Sequence, residues 1–218
     1  MSVFRQIFDA TSEFLEARGV SPDLFQGEEA DQSDIDAFNS DADTLLPDTF
    51  SRFFTELGDG FEFGWEDPEG NAFGHFSMPT LGELRTKQEW WNENIQDFLD
   101  DANSLDRCIK PQFRAQAFAI WGRMKGWIPF WEEGNGDHFC VDTKTGQIVY
   151  DQHDWFDGFG SLAKTNGIVA GNNLVNFLEN WSRFCFQSNK DLWWGEFSEF
   201  GAIRWEPQYF DARFYRGG

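Results

Sequence analysis

Apolar positions recur along this chain at two spacings, one helical and one extended. Val3, Phe4, Ile7, Phe8, Phe14 and Leu15 share a helical face, and Gly19 stands where that helix should end. Ser21-Pro22 pairs a capping residue with a proline at a first helical position, which predicts a short helical turn through Leu24 and Phe25. Gln26 to Asp43 is acidic and offers only Ile35 and Phe38 for packing, so it reads as a linker passing into a weak helix. Pro47 opens a helix with Phe50, Phe53, Phe54 and Leu57 on one face, and Gly58-Asp59-Gly60 stops it. Phe61, Phe63 and Trp65 then alternate as a strand, Asp67 to Gly70 forms a turn, and Ala72 to Met78 supplies a partner strand.

Thr80-Leu81-Gly82-Glu83 has capping-box spacing and opens a helix to about Ala102, with Leu84, Trp91, Ile95, Phe98 and Leu99 inward. Asn103 to Pro111 reads as a connection, and Phe113 to Ile120 fits helix or strand equally. Gly126 to Asp154 has the pattern of a three-stranded meander. Its strands run Trp127–Trp131, His138–Asp142 and Gln147–Asp151, separated by Gly134-Asn135-Gly136 and a polar turn ending at Gly146. In the second strand Phe139 and Val141 fall on one face and His138, Cys140 and Asp142 on the other. Asn172-Asn173 precedes an amphipathic helix carrying Leu174, Phe177, Leu178, Trp181 and Phe184. From Ser188 the chain is too aromatic to be disordered and should pack back on the domain or on a partner.

Composition sharpens this picture. The chain has 218 residues, of which 40% are hydrophobic and 18% aromatic, enough for a substantial core. A formal charge of −21 opposes nucleic acids and anionic membranes and favours encounter with basic proteins. Cys108, Cys140 and Cys185 are widely spaced and form no CxxC, which fits a reducing compartment better than a disulfide framework. The N-terminus is charged throughout rather than leader-like, and no apolar run reaches the length of a membrane span, so a cytoplasmic protein is expected.

The meander is ringed by acid: Glu132, Glu133, Asp137, Asp142, Asp151, Asp154 and Asp157. His138, His153, Asp137, Asp151 and Asp154 raise the idea of a metal site, but no HExxH, His-x-His or Cys/His pairing supports it. A carboxylate pair for glycoside hydrolysis is a weak signal in a chain with 38 acidic residues. Nucleophile elbows, phosphate loops and dinucleotide fingerprints are missing, and Cys140 among acids should hold its proton. No catalytic set, metal or cofactor is expected. The doublets Trp90-Trp91 and Trp193-Trp194 cannot bury both rings in one core, so one ring of each should lie near the surface unless a tail or partner covers it.

The order of features resembles the SUKH superfamily, which includes bacterial immunity proteins and fungal regulators of cell-wall glucan synthesis. Leu45-Leu46-Pro47-Asp48 with Phe50, Phe53, Phe54 and Leu57-Gly58-Asp59-Gly60 is similar to the family's opening helix and turn. Trp127-Ile128-Pro129-Phe130 followed by Gly134 to Asp142 is similar to its characteristic strand pair. Gly146 to Tyr150 with Asp151 to Asp154 resembles the continuation, and Asn173 to Trp181 its closing helix. Three departures stand out: Gly58-Asp59-Gly60 in place of an Asn-Gly turn, Asn135 within the glycine run, and a long helical region over 80–115.

The resemblance implies an α+β fold, a twisted and largely antiparallel sheet of about six strands with helices on one side and at the edges. It implies a helical extension and acidic linker over 1–34, the family-like domain over 35–187, and an aromatic extension over 188–218 packed on it. It also implies a non-enzyme that binds a cognate basic protein, foremost a toxin domain such as a nuclease, with a scaffold or regulator of glucan synthesis as the alternative. A glycan-acting enzyme ranks third. The expected partner-binding surface is Trp65, Trp127, Glu132, Glu133, Asp137, His138, Asp151 and Asp154. Its carboxylates would meet Lys or Arg and its rings would fill the dry centre, although Asp137 and His138 can equally be read as holding the turn after Gly136.

Overall fold

A computed structural model describes residues 2–41, 45–100, 119, 122–134, 136–152, 167–187, 198–199 and 202–217. Helix α1 (Val3–Glu16) is capped by the Ser2 side chain, which accepts from Phe4 N, and it buries Phe4, Ile7, Phe8, Thr11 and Leu15. It ends in a turn with Gly19 at a φ of 77°, where Val20 N reaches back to the Leu15 carbonyl. The helical turn expected at 22–25 is instead strand β1 (Asp23–Gln26), paired antiparallel with β2 (Phe61–Glu66), with Leu24 opposite Phe63 and Phe25 opposite Glu62. The local capping signal of Ser21-Pro22 is overruled by a ladder to residues some forty positions away, which no local pattern can announce.

Helix α2 (Gln32–Asp41) is held at its start by Asp31, whose Oδ1 accepts from Ser33 N at 2.7 Å, and it buries Ile35 and Phe38. Helix α3 (Asp48–Glu56) buries Phe50, Phe53 and Phe54. Strand β2 alternates buried and outward residues, and β3 (Phe73–Met78) pairs with it along its length. Helix α4 (Leu81–Asp100) begins with the expected capping box: Glu83 N donates to Thr80 Oγ1 at 3.2 Å, and Thr80 N donates to Glu83 Oε2 at 2.9 Å. Strands β4 (Trp127–Glu132), β5 (His138–Asp142) and β6 (Ile148–Asp151) form the meander, followed by β7 (Ile168–Gly171) and α5 (Leu174–Ser182). Two short strands, β8 (Ser198–Glu199) and β9 (Ala202–Ile203), precede single 3-10 turns at Pro207–Tyr209 and Ala212–Phe214. Phe113 to Ile120, apart from Ala119, lies outside the described residues, as do Cys108, Trp193 and Trp194.

The fold is α+β. Its strands form a three-stranded antiparallel sheet, β1-β2-β3, and a six-stranded sheet in the order β4-β5-β6-β7-β9-β8, with β3 lying beside β4. Pairing is antiparallel throughout except between β7 and β9. Helix α5 covers one face of the meander: Phe177 meets Phe139 at 4.9 Å between ring centroids, and Trp181 meets Trp131 edge-on at 5.1 Å. Helix α4 lies against β4, and its Trp91 meets His138 on the opposite face at 5.6 Å. Both faces of β5 are therefore covered, which is why Cys140 is as deeply buried as Phe139 and Val141.

After α5 the chain doubles back over the smaller sheet. Cys185 and Phe186 both take positive φ (53° and 56°), and Gly74 bridges Gln187. The Trp65 indole donates to the Cys185 carbonyl at 2.6 Å, while His75 N donates to the Phe186 carbonyl at 2.9 Å. Two successive non-glycine residues in this region need such anchoring, and the Phe186 ring supplies more by packing 5.1 Å from Phe8 and 5.7 Å from Trp181. Farther on, Phe214 lies 4.4 Å from Trp65, and Phe210 stacks on Phe184 at 4.0 Å. Arg216 donates to Thr11 Oγ1 at 2.7 Å, joining this segment to α1.

Candidate partner-binding surface

The acidic cluster forms where β4, β5 and β6 end together. Register places Glu132 opposite His138, and His138 opposite Asp151. A shift of register between Pro129 and Trp131 lets two successive aromatics enter the core: Phe130 packs on Phe50 at 5.1 Å, and Trp131 packs on Phe139 and Trp181. The connection to β5 is tight. Gly136 N donates to the Glu133 carbonyl at 2.9 Å, Glu133 N donates to the Asp137 carbonyl at 2.8 Å, and Gly136 sits at a φ of 91°.

Beneath this turn lies a buried polar layer. The Tyr150 hydroxyl donates to Asp137 Oδ2, and Asp137 is fully buried. Burial, the hydrogen bond to Asp137 and nearby negative charge together hold the Tyr150 phenol far above its ordinary pKa, so it remains a donor. Burial, followed by the charge of Asp137, raises the Asp151 carboxyl to about 8, which leaves it mostly protonated at neutral pH. The Cys140 thiol is likewise pushed well above its usual value, first by burial and then by Asp151, and carries no nucleophilic thiolate.

The outer layer is different in kind. The Glu132 side chain is half exposed, with Lys87 Nζ from α4 at 3.5 Å and His138 Nε2 at 4.0 Å. His138 is mostly covered, and Glu133 is half-buried. Among the expected surface residues, Glu132, Glu133 and His138 thus lie together at the outer end of the strands, with Asp137 and Asp151 inside. Trp127 is 1% exposed, and a Cβ at Gly167 would come within 3.3 Å of its ring. Trp65 is 5% exposed and lies under Phe214. Trp65, Trp127, Asp137 and Asp151 are interior groups in this fold. Strand alternation correctly separates two faces, but it cannot show that α4 covers the second or that the C-terminal segment closes over Trp65. Asp154 lies outside the described residues, as does His153, and no three His, Cys, Asp or Glu side chains converge on a metal position among the described residues.

Sequence reasoning missed a neighbouring feature. A groove of about 710 Å³ runs between the outer face of β1-β2-β3 and the first turns of α4, lined in part by Phe25, Glu62, Met78, Glu83 and Lys87. Lys87 links this groove to Glu132. Phe25 is 60% exposed at its rim, and Trp90, one turn beyond Lys87's level on α4, is 54% exposed. The Trp90-Trp91 doublet was the available signal: Trp91 is buried and donates to the Met124 carbonyl at 2.9 Å, so Trp90 must face out.

These elements define an α+β domain with the helix–meander–helix order of SUKH proteins. Residues 29–180 match the SMI1 / KNR4 family (SUKH-1), and the chain belongs to that family. No curated protein matches it closely enough to lend a more particular function. The matched span starts in the approach to α2 and ends within α5, so α1, β1 and the doubled-back segment all lie outside it.

Proposed function

We propose that this chain is a non-catalytic protein-binding module, and specifically an immunity protein that neutralises a cognate basic toxin domain. The observation that carries the reading is a family-matched domain whose strand ends present Glu132 outward with Glu133 half-buried beside it, in a chain of charge −21. A field of that sign attracts a basic surface from a distance and speeds encounter, as the groove of a nuclease would require. The buried Asp137, Asp151 and Tyr150 then act as the support that fixes the turn carrying those carboxylates. A cytoplasmic location belongs to the same reading; no helix among the described residues is long and apolar enough to cross a membrane.

The test is rescue of growth. The reading frames flanking this gene are searched for a toxin domain, and that domain is expressed with the wild-type chain or with Glu132→Lys/Glu133→Lys. Wild type should restore growth, and the double reversal should slow association about tenfold and weaken rescue. Absence of rescue, with stable association instead to a glucan-synthesis assembly, would replace the toxin reading by the regulatory one.

A further inference from the structure

We infer that the groove between the outer face of β1-β2-β3 and α4 is a docking site for an arginine- or lysine-bearing extended segment of a protein partner. This rests on the reading of the chain as a binder of basic proteins and assigns it a second contact surface. The row Phe25, Glu62 and Ser77 crosses the three strands on one face, as register requires, and forms the floor. Helix α4 forms the wall. Glu83, Thr86, Lys87 and Trp90 fall on one stripe of that helix, spanning about 10 Å along its axis.

Three observations converge here. An apolar side chain in the groove itself is exposed, Phe25 at 60%, and Trp90, on the helical stripe that carries Glu83 and Lys87, is 54% exposed. Exposed aromatics of this kind are the type of group that anchors protein interfaces. Charge supplies the second observation. Glu62 lies in the floor with no ion-pair partner among the described residues, and Asp23 and Glu66 flank it on outward positions; on the wall Glu83 is held in the capping box and Lys87 is turned to Glu132, so Glu62 is the carboxylate left to a partner. An arginine stem would cover Phe25 while its guanidinium meets Glu62, combining ring stacking with a charge-assisted hydrogen bond. The same charge argues against a second copy of the chain, since two bodies at −21 repel. Third, β1 belongs to the part of the chain outside the family match, so one of the three strands of the floor, the one carrying Phe25, lies outside the matched domain. An added edge strand with its apolar residues turned to solvent has no evident use in folding, where such residues are a liability.

The probe is a fluorescein-labelled seven-residue peptide alternating Arg and Leu, compared with one of equal charge alternating Arg and Ser. Fluorescence anisotropy against the full chain should show saturable binding of the Arg-Leu peptide, about tenfold tighter than the Arg-Ser control. Phe25→Ala and Glu62→Lys should each weaken it about tenfold, whereas Glu179→Lys, an exposed reversal on α5, should not. Equal binding of the two peptides, or indifference to Phe25→Ala with circular dichroism unchanged, would overturn the assignment in favour of bulk electrostatics. The two proposals fail separately. A toxin neutralised equally well by Phe25→Ala would remove the groove and keep the immunity reading; peptide binding as described, without any rescue, would keep the groove and remove that reading.

Discussion

Asp137 and Asp151, which read in sequence as members of a ligand set, become with Tyr150 a support once both strand faces are covered. Tyr150→Phe removes the hydroxyl that donates to a fully buried carboxylate, and should cost about 1–3 kcal/mol in urea unfolding while leaving the fold intact. Asp151 makes a pH prediction with a definite sign. Its folded pKa is raised to about 8, whereas an aspartate in an unfolded chain ionises near 4. Between about pH 4 and about pH 8 the folded chain holds a proton that the unfolded chain has released, so this group's contribution to stability falls as pH rises and levels off above that window. Unfolding midpoints of wild type should therefore decline across the window more steeply than those of Asp151→Asn. Parallel profiles would mean that Asp151 does not titrate in this way.

At the scale of elements, caps and close approaches carry the more local predictions. Thr80→Ala removes the hydroxyl that accepts from Glu83 N and donates to Glu83 Oε2, leaves the backbone bond from Thr80 N in place, and should cost about 1 kcal/mol, seen as a lower midpoint with an unchanged slope. It would also loosen the wall of the groove. Gly74→Ala should be worse: a Cβ there would stand 2.3 Å from both the Cys185 carbonyl oxygen and the Trp65 indole nitrogen, and the first of these is backbone. A loss of at least about 2 kcal/mol is expected, and thermal unfolding unchanged from wild type would refute the tight crossing described here. Neither this crossing nor β1 was legible beforehand, for one reason. Both are pairings between distant segments, Gly74 with Gln187 and Leu24 with Phe63, and neither leaves a period in the sequence. β2, α4 and α5 were legible because each carries its own period and stop signals: alternation in β2, the Thr80–Glu83 box, and Asn173 capping α5 by accepting from Asn176 N at 2.9 Å. The exposure of Glu132 at the strand end could be read from the sequence. The burial of Trp65 and Trp127 could not, because it is decided by what packs over them.

For the whole molecule, charge and connectivity set the expected behaviour. Association with a basic partner should slow steeply between low and physiological salt, because screening shortens to about 8–10 Å over that range. A stopped-flow rate that is flat in salt would deny electrostatic steering any part in recognition.

The contact between Arg216 and Thr11 has a consequence in time. Thr11 is synthesised 205 residues before its partner arrives. At about 5–20 residues per second, the back of α1 waits roughly 10–40 s on the ribosome while its front already has Phe53 and Phe61 to settle on. The helix is thus seated on one side early and latched on the other last. A chain stalled shortly before Arg213 would present an aromatic, incompletely covered surface around Trp65, of the kind that chaperones hold.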